Sequence, residues 1–206
     1  MTQLLEIHPT HPQARLLERA ANVLRDGGVI AYPTDSCYAL GCGLGSKDGP
    51  DRIRKLRTLG KAHHFSIMCA DLAEVARYAR LDNDAFRWVK LSIPGPYTFI
   101  LRATGDVPKR VQHARRRTTG VRVPDNPVTR GLLEQLGAAM VSSTLQLPGS
   151  DQPEADARDI FDAIGKQVDL VIDGGPGSVE PSTLVDLSGG GLEVLREGCG
   201  DPSIFA

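Results

Sequence analysis

The sequence contains few of the features that mark metal-binding, secreted or membrane proteins. Its 206 residues include four cysteines, Cys37, Cys42, Cys69 and Cys199, and no two of them form a C-x-x-C pair. The cysteine pattern therefore indicates neither a zinc site nor a redox pair, and we expect reduced thiols in a cytoplasmic protein. No stretch of 18 consecutive residues is apolar, and the first residues do not combine a basic flank with an apolar run. Neither a membrane-spanning helix nor a signal peptide is predicted.

The chain also lacks an excess of either charge. Lysine and arginine number 24 against 25 aspartates and glutamates, for a formal net charge of −1. The net charge by itself predicts no polyanionic partner. With 41% hydrophobic residues the composition is typical of a globular protein. The length suits one domain, so we expect a single domain over residues 1–206, with its core between about residues 13 and 200.

Apolar periodicity predicts alternating helices and strands. A helix is predicted over 13–26, with Thr10 and Gln13 at capping-box spacing and Gly27-Gly28 as its stop. Further helices are predicted over 51–56, from Asp71 onward, and over 84–91, 128–136 and 158–164; strands are predicted over 29–32, 65–69, 97–101, 120–123, 140–144, 168–172, 183–187 and 192–195. This order predicts an α/β domain with a mixed open sheet and flanking helices. Its closing strands are expected to be antiparallel because their links are too short for helical crossovers.

The stretch VIAYPTDSCYALGC, residues 29–42, leads from an apolar strand directly into polar residues. Pro33 cannot continue a strand ladder, so Thr34, Asp35 and Ser36 are expected just beyond the strand end. Ligands of open α/β sheets bind at such strand ends, and these side chains would offer hydroxyls and a carboxylate. The alternative is that Asp35 and Ser36 only cap the next turn.

Lys55 and Arg57 are the first candidate anion-binding residues. Residues two apart share a face in an extended segment but not on a helix, so the two can act together only if the helix unwinds near Leu56. Residues 58–60 are compatible with that ending. Two converging cations suit a triphosphate or a carboxylate. As isolated residues they would more often belong to a solvated helix face.

A second basic segment places six cations within fourteen residues, between Lys109 and Arg122. It could steer a nucleotide or an RNA backbone, or it could be an exposed loop that keeps the protein soluble. Arg122 differs from the others because it follows Gly120-Val121 on an apolar strand, where an unpaired guanidinium would be costly. It needs a partner or a ligand. His63 and His64 are expected at the surface rather than on a metal.

Six segments, taken in order, resemble the YrdC-like family of threonylcarbamoyl-AMP synthases. They are Pro33-Thr-Asp-Ser-x-Tyr-Ala-Leu-Gly41, Lys55-x-Arg57, Pro94-Gly-Pro-Tyr-Thr-Phe-Ile-Leu101, Gly120-Val-Arg-Val-Pro124, Ser182-Thr-Leu-Val-Asp186 and Leu195-Arg-Glu-Gly198. The resemblance implies a twisted mixed sheet with a positively charged concave cleft. It also implies a nucleotidyltransferase that forms L-threonylcarbamoyladenylate from L-threonine, bicarbonate and ATP, with Mg²⁺, for tRNA threonylcarbamoyladenosine modification. Double-stranded RNA binding is also attributed to the family.

Three positions depart from the family pattern. The family synthases usually have Ser-x-Asn where this chain has Thr144-Leu-Gln146, and a histidine for threonine where it has Cys69. With His63-His64-Phe65-Ser66, these departures resemble the YciO branch. Thr144 keeps a hydroxyl and Gln146 keeps an amide, whereas Cys69 offers only a weak donor.

The resemblance implies a role for each matching position. Lys55 and Arg57 would be the catalytic cations and would contact the phosphates. Thr34, Cys69, Arg122 and Thr144 would bind the amino-acid substrate, and Thr118, Gln146 and Arg196 would join Lys55 and Arg57 at the nucleotide. Catalysis would consist of positioning and charge neutralisation. The alternative is a double-stranded RNA- or tRNA-binding protein of the same fold with weak or no synthase activity. Partner proteins would be those of tRNA modification, and no membrane partner is expected.

Overall fold

Ten strands join in one sheet in the computed structural model, which describes residues 2–60, 63 and 65–205. They are β1 (Gln3–Glu6), β2 (Val29–Tyr32), β3 (Ala39–Gly43), β4 (Ser66–Met68), β5 (Tyr97–Arg102), β6 (Thr118–Arg122), β7 (Met140–Thr144), β8 (Leu170–Asp173), β9 (Thr183–Asp186) and β10 (Glu193–Arg196). Their order is β1-β8-β2-β3-β7-β4-β6-β5-β9-β10. The pairs β1–β8, β8–β2, β4–β6 and β5–β9 are parallel and the other pairs are antiparallel. The predicted single-domain mixed α/β sheet is confirmed.

Helices cover both faces of this sheet. They are α1 (Ala14–Arg25), α2 (Gly49–Leu56), α3 (Leu72–Tyr78), α4 (Asn83–Ser92), α5 (Pro127–Leu136) and α6 (Ala157–Ile164). One buried cluster joins apolar residues of α1 and α5 to one sheet face, and a larger cluster joins α2, α3, α4 and α6 to the other. Strand residues alternate between the clusters: Ile30 and Tyr32 belong to the first, Val29 and Ala31 to the second. A sheet buried on both faces explains the nearly continuous apolar strands of the sequence.

On the sheet face that packs against α1 and α5, the helices cover only part of the strands. In the described chain, the cluster beneath these helices includes no residue of β6, β5, β9 or β10. Arg122 of β6 is paired with Met68, which belongs to that cluster, so Arg122 lies on the same face. Thr118 shares this face because side chains alternate along a strand. Polar residues on this face of β6, β5, β9 and β10 therefore lie beside the apolar core rather than within it.

The structure differs from the predicted elements at two strands and one cap. β1 and β3 were not predicted. β3 contains Gly41 and Gly43 and therefore looks like a loop in sequence. Gly41 is required by close packing, since a Cβ there would lie 2.8 Å from the buried ring of Tyr32. The predicted capping box of α1 is wrong: Gln13 is the N-cap without a side-chain cap bond, and its side-chain oxygen accepts from the His8 N–H.

The closing strands agree with the prediction in part. β9 and β10 pair in antiparallel fashion, as expected from their short link. β8 does not pair with them, and it lies parallel to β1 and β2 at the other side of the sheet. Within the part of the chain that the structure describes, no helix is long and apolar enough to span a bilayer.

Candidate active site

The loop between β2 and β3 is held by the hydroxyl of Thr34. Its Oγ donates to the Cys37 carbonyl at 2.7 Å and accepts from the Ser36 N–H at 3.1 Å. A Thr side chain that bonds to the backbone two and three residues ahead closes a tight turn. Thr34, rather than Asp35 or Ser36, therefore closes this turn. The side chains of Asp35 and Ser36 are available for contacts with other elements.

Arg122 on β6 contacts this loop through a buried ion pair. Its Nη2 donates to Asp35 Oδ1 at 2.5 Å and to Ser36 Oγ at 3.0 Å, with Thr34 Oγ at 3.4 Å. The Arg122 and Asp35 side chains are 8% and 9% exposed. The other carboxylate oxygen, Oδ2, accepts from the Asp125 N–H at 3.0 Å. The partner that the sequence required for Arg122 is thus Asp35.

The hydrogen bonds of the Arg122 side chain to this loop all come from Nη2. Its Nε is buried and has no hydrogen-bond partner among the described residues. A buried donor without an acceptor costs about 1–3 kcal/mol, more for a charged group, so such a donor is suited to an incoming acceptor. Arg122 can therefore hold a ligand while it remains paired with Asp35.

Arg57 reaches the same region from the end of α2. The helix ends at Leu56, and Arg57 follows with φ −90° and ψ 1°, so the predicted ending is confirmed. The Arg57 Nη1 donates to Ser143 Oγ at 2.7 Å and its Nε donates to the Gln146 carbonyl at 3.1 Å. Burial lowers the pKa of Arg57. The guanidinium nevertheless stays charged, because its pKa starts far above neutrality.

Arg196 approaches from β10. Its Nη2 donates to the Ser182 carbonyl at 2.8 Å, and its Nε donates to the same oxygen at 3.3 Å. Desolvation lowers the pKa of Arg196, and the positive charge of Arg122 lowers it further. The two guanidiniums are therefore close enough to repel each other.

Cys37 lies where these three arginines meet. Arg57, Arg122 and Arg196 each interact electrostatically with its thiol, whose Sγ lies 3.9 Å from Ser36 Oγ, and Thr144 is close enough to lower the pKa of the thiol. Burial raises the pKa of Cys37, so the thiol is neutral at physiological pH and does not neutralise the arginines. We call Arg57, Arg122 and Arg196 the arginine cluster. It brings together cations that follow α2, end β6 and end β10.

The structure gives the predicted site residues different positions. Thr34, Arg57, Arg122, Thr144 and Arg196 meet at the arginine cluster. Gln146 contributes its carbonyl to Arg57, while its amide Nε2 donates to the Ser150 carbonyl at 2.9 Å.

Lys55 and Thr118 lie apart from the cluster. Lys55 is exposed on α2, and its side chain makes no hydrogen bond or ion pair with the described residues. Thr118 begins β6, four residues before Arg122, which corresponds to about 13 Å along a strand. The roles of both residues at the nucleotide remain predictions.

The expectation that Cys69 binds substrate is not supported by its position. Cys69 is fully buried in the larger core cluster, and its Sγ approaches the Ile67 carbonyl at 3.7 Å. Met68 shares the face of Arg122, so the next side chain points to the opposite face. Cys69 is a packing residue, and its departure from the family pattern does not reach the arginine cluster.

Sequence analysis missed three serines that shape the site. Ser143 accepts from Arg57 and lies 3.1 Å from His63 Nε2, and Ser142 is 2.6 Å from the Tyr32 hydroxyl. Ser182 supplies the carbonyl for Arg196. For Ser142 and Ser143 the available signal was a pair of hydroxyl residues near the end of the apolar strand Met140–Thr144.

The two histidines have different outcomes. His63 is partly exposed, and its Nε2 lies 3.1 Å from Ser143 Oγ. His64 lies outside the described residues. Among residues 2–60, 63 and 65–205, no group of three or more His, Cys, Asp or Glu side chains could hold a metal ion.

A separate cavity of about 1400 Å³ lies near the start of β6. We call it the basic basin; its charged lining residues are Arg80, Arg102, Lys109, Arg116, Arg117, Asp186 and Glu193. Three of the six cations from the basic segment line it. Thr118 also lines the basin, and its buried hydroxyl has no hydrogen-bond partner among the described residues. Arg116 lies 3.7 Å from Asp186, so part of the positive charge is balanced.

Comparison with known proteins gives the family of the chain. The Sua5_yciO_yrdC family model, described as "Telomere recombination", matches residues 22–198. The chain belongs to the Sua5/YciO/YrdC family. It is 48% identical to the YciO protein of Escherichia coli (strain K12) over 205 residues, with 100% of both chains covered. It is 31% identical to the threonylcarbamoyl-AMP synthase of Halorhodospira halophila, with 82% of this chain and 88% of that protein covered.

Solved structures agree with this family membership. The crystal structure of E. coli YciO superposes with a TM-score of 0.96 and covers 100% of both chains. The structure of P. abyssi Sua5 complexed with L-threonine has a TM-score of 0.88 at 22% identity, covering 96% of this chain and 58% of that one. This chain therefore shares its fold with P. abyssi Sua5, a protein that binds L-threonine.

Proposed function

We propose that this protein is a nucleotidyltransferase that forms L-threonylcarbamoyladenylate from L-threonine, bicarbonate and ATP, for tRNA threonylcarbamoyladenosine modification. The observation that carries the proposal is that Arg122 bonds to Asp35 and Ser36 beside Cys37, while Arg57 and Arg196 hydrogen-bond only to neutral oxygens and interact electrostatically with that neutral thiol. Its relatives named threonylcarbamoyl-AMP synthase and the L-threonine complex of P. abyssi Sua5 support the same chemistry.

Arg122 would bind the carboxylate of threonine or of its carbamate. Its Nη2 is occupied by Asp35 and Ser36, and its buried Nε has no partner among the described residues. A carboxylate oxygen is the acceptor that such a charged donor binds most strongly. The hydroxyl of Thr144, next to Cys37, would contact the polar groups of the amino acid.

Arg57 and Arg196 would bind the phosphates of ATP. Both guanidiniums contact only neutral acceptors in the described chain, so their charges are available to an anion. Lys55, Thr118 and Gln146 complete the proposed nucleotide contacts. Because the described residues offer no cage of protein ligands, Mg²⁺ would be carried by the triphosphate and its waters, as is usual for this ion.

The reaction requires little covalent participation by the protein. The threonine amine would add carbon dioxide derived from bicarbonate to form a carbamate. A carbamate oxygen would then attack the α-phosphorus in line as pyrophosphate leaves. The negative charge that develops on the phosphates would face the arginine cluster, so catalysis would come from positioning and electrostatic stabilisation.

Steady-state release of pyrophosphate tests this proposal. We expect turnover that requires L-threonine, bicarbonate and ATP together. Arg57→Ala is expected to reduce kcat/KM by about 10²–10³-fold, the loss found for one well-placed donor. Arg87→Ala, which removes a 71% exposed arginine of α4, is the matched control and is expected to leave turnover unchanged. Turnover that ignores threonine, or that survives Arg57→Ala, would contradict the proposal.

The basic basin favours a second candidate, the binding of double-stranded RNA or tRNA with weak or no synthase activity. Five cations against two carboxylates line this open cavity. The candidate expects RNA binding that weakens steeply with salt and that loses affinity in Arg116→Ala/Arg117→Ala. Salt-sensitive RNA binding without turnover would favour this candidate over the synthase.

A further inference from the structure

Asp35 is the only acidic residue paired with the arginine cluster in the described part of the chain. Arg57 and Arg196 make no ion pair there, whereas Arg122 pairs with Asp35 at 2.5 Å. Three guanidiniums therefore face one carboxylate, and the cluster keeps a surplus of positive charge. This surplus positive charge is available to an anionic ligand. Neutralising the site is therefore not the main effect of Asp35.

Asp35 connects Arg122 to the backbone that follows β6. One oxygen accepts from Arg122 Nη2, and the other accepts from the Asp125 N–H at 3.0 Å. The loop that carries Asp35 is itself fixed by Thr34, whose hydroxyl bonds to Cys37 and Ser36. The carboxylate thus holds one edge of the guanidinium in a fixed direction.

The geometry points to a positioning role: we propose that Asp35 orients Arg122 so that its unpaired Nε–H is presented to the carboxylate of the substrate. The identity of that substrate as L-threonine rests on the proposed function. A guanidinium is planar, so fixing Nη2 against Asp35 and Ser36 also fixes the direction of the Nε–H bond. Asp35 would not touch the substrate, and its effect would pass through Arg122.

Asp35→Asn is the informative change because it keeps the shape of the side chain. An amide has one acceptor oxygen, and its NH₂ group cannot accept from either Arg122 or the Asp125 N–H. One of the two bonds must therefore be lost, together with the charge. Asp125→Asn is the matched control, because that neighbouring carboxylate is 61% exposed and lies 3.6 Å from Arg130 rather than near Arg122.

The experiment follows the Arg122 Nε–H signal in ¹⁵N-edited NMR spectra, assigned with Arg122→Lys, during a titration with L-threonine. We expect the wild type and Asp125→Asn to titrate alike. In Asp35→Asn we expect the free signal to shift or broaden and the midpoint to rise about tenfold to a hundredfold, the loss typical of a misplaced contact. The KM for threonine should rise more than kcat falls, a separation that a general loss of folding does not produce.

An Asp35→Asn titration that matches the wild type would overturn the inference. If Asp35→Asn does not fold, Ser36→Ala removes the other close acceptor of Nη2 and is expected to cause a smaller shift in the same direction; no shift would again overturn it. If the wild-type signal does not respond to threonine and turnover is absent, the proposed function fails separately. The positioning role is then decided by whether Asp35→Asn alters the free Arg122 signal.

Discussion

At the scale of single residues, the site depends on charges that are held by neutral neighbours. Arg57 and Arg196 are bound by hydroxyl and carbonyl oxygens, and only Arg122 has a carboxylate partner. Arg57 is partly buried and Arg196 is exposed, and a guanidinium without an acidic partner keeps its charge for an anionic ligand. The protein therefore keeps uncompensated positive charge at the point where an anionic substrate would bind.

The reactivity of the four cysteines tests whether the centre of the arginine cluster, at Cys37, is buried. Cys37, Cys42 and Cys69 are buried, and burial raises the pKa of each thiol, whereas Cys199 is partly exposed. Because alkylation requires an accessible thiolate, native protein at pH 8 should take up one iodoacetamide group, on Cys199, and unfolded protein should take up four. Mass spectrometry measures both numbers.

A Cys199→Ser variant serves as the control and should remain unlabelled while folded. Labelling of native Cys37 at the rate of Cys199 would show that the centre of the arginine cluster is open to solvent, against the structure.

The sequence allowed Thr34 and Arg122 to be placed correctly for physical reasons. Pro33 ends the strand, and a guanidinium on an apolar strand requires a partner. Asp35 could not be recognised as that partner, because the pairing joins residues 87 positions apart. The burial of Cys69 in the larger core cluster could not be read from the sequence for a related reason: the face to which a side chain points depends on strand register, which the family pattern does not specify.

At the scale of elements, short local motifs position the chain around the site. The β2–β3 loop is closed by Thr34, and α2 stops at Leu56, so that Arg57 leaves the helix direction and reaches Ser143. The helix start at Asp71 was recognisable in sequence. β3 was not, because its glycines are needed for packing against Tyr32 and resemble a loop when seen without their neighbours.

The capping box of α3 gives the prediction at this scale. Asp71 Oδ1 accepts from the Glu74 N–H at 2.8 Å, and Glu74 Oε2 accepts from the Ala70 N–H at 2.7 Å. Asp71→Ala removes the cap and should lower the free energy of unfolding by about 1 kcal/mol. Urea unfolding should show a lower midpoint with an unchanged m-value.

Asp162→Ala is the control, because Asp162 is exposed within α6 and makes none of the described hydrogen bonds. Its free energy of unfolding should stay within about 0.5 kcal/mol of the wild type. Equal effects of the two substitutions would contradict the assignment of Asp71 as a cap.

At the scale of the whole molecule, the layered sheet buries ionisable groups that are neutral near pH 7. Burial raises the pKa of the Cys42 thiol from 9.0 to about 12, and that of the Tyr38 hydroxyl from 10.0 to about 12. Between pH 9 and 12 the unfolded chain therefore releases protons that the folded chain retains. Because the unfolded state binds fewer protons there, stability should fall as pH rises.

The substitution Cys42→Ala measures how much of the loss of stability at alkaline pH comes from the Cys42 thiol. Cys42 should contribute at most about 4 kcal/mol of this loss, since each pKa unit corresponds to about 1.4 kcal/mol. Cys42→Ala should be less stable than the wild type at pH 8 but should lose less further stability at pH 10.5. Urea midpoints at the two pH values measure the difference, and parallel losses in both proteins would count against the buried thiol.

The α/β class and the mixed sheet were predictable because helix and strand periodicities alternate along the whole chain. The strand order was not predictable, because β3, β7, β4 and β6 come together from distant parts of the sequence. That order brings Arg57, Arg122 and Arg196 to one place, and on it depends the proposed adenylation of threonine carbamate.

Pyrophosphate release with one reactant omitted at a time tests this central claim most directly. The account predicts full turnover only when L-threonine, bicarbonate and ATP are all present, and loss of that turnover in Arg57→Ala but not in Arg87→Ala. Pyrophosphate formed at the same rate without threonine or without bicarbonate would contradict it.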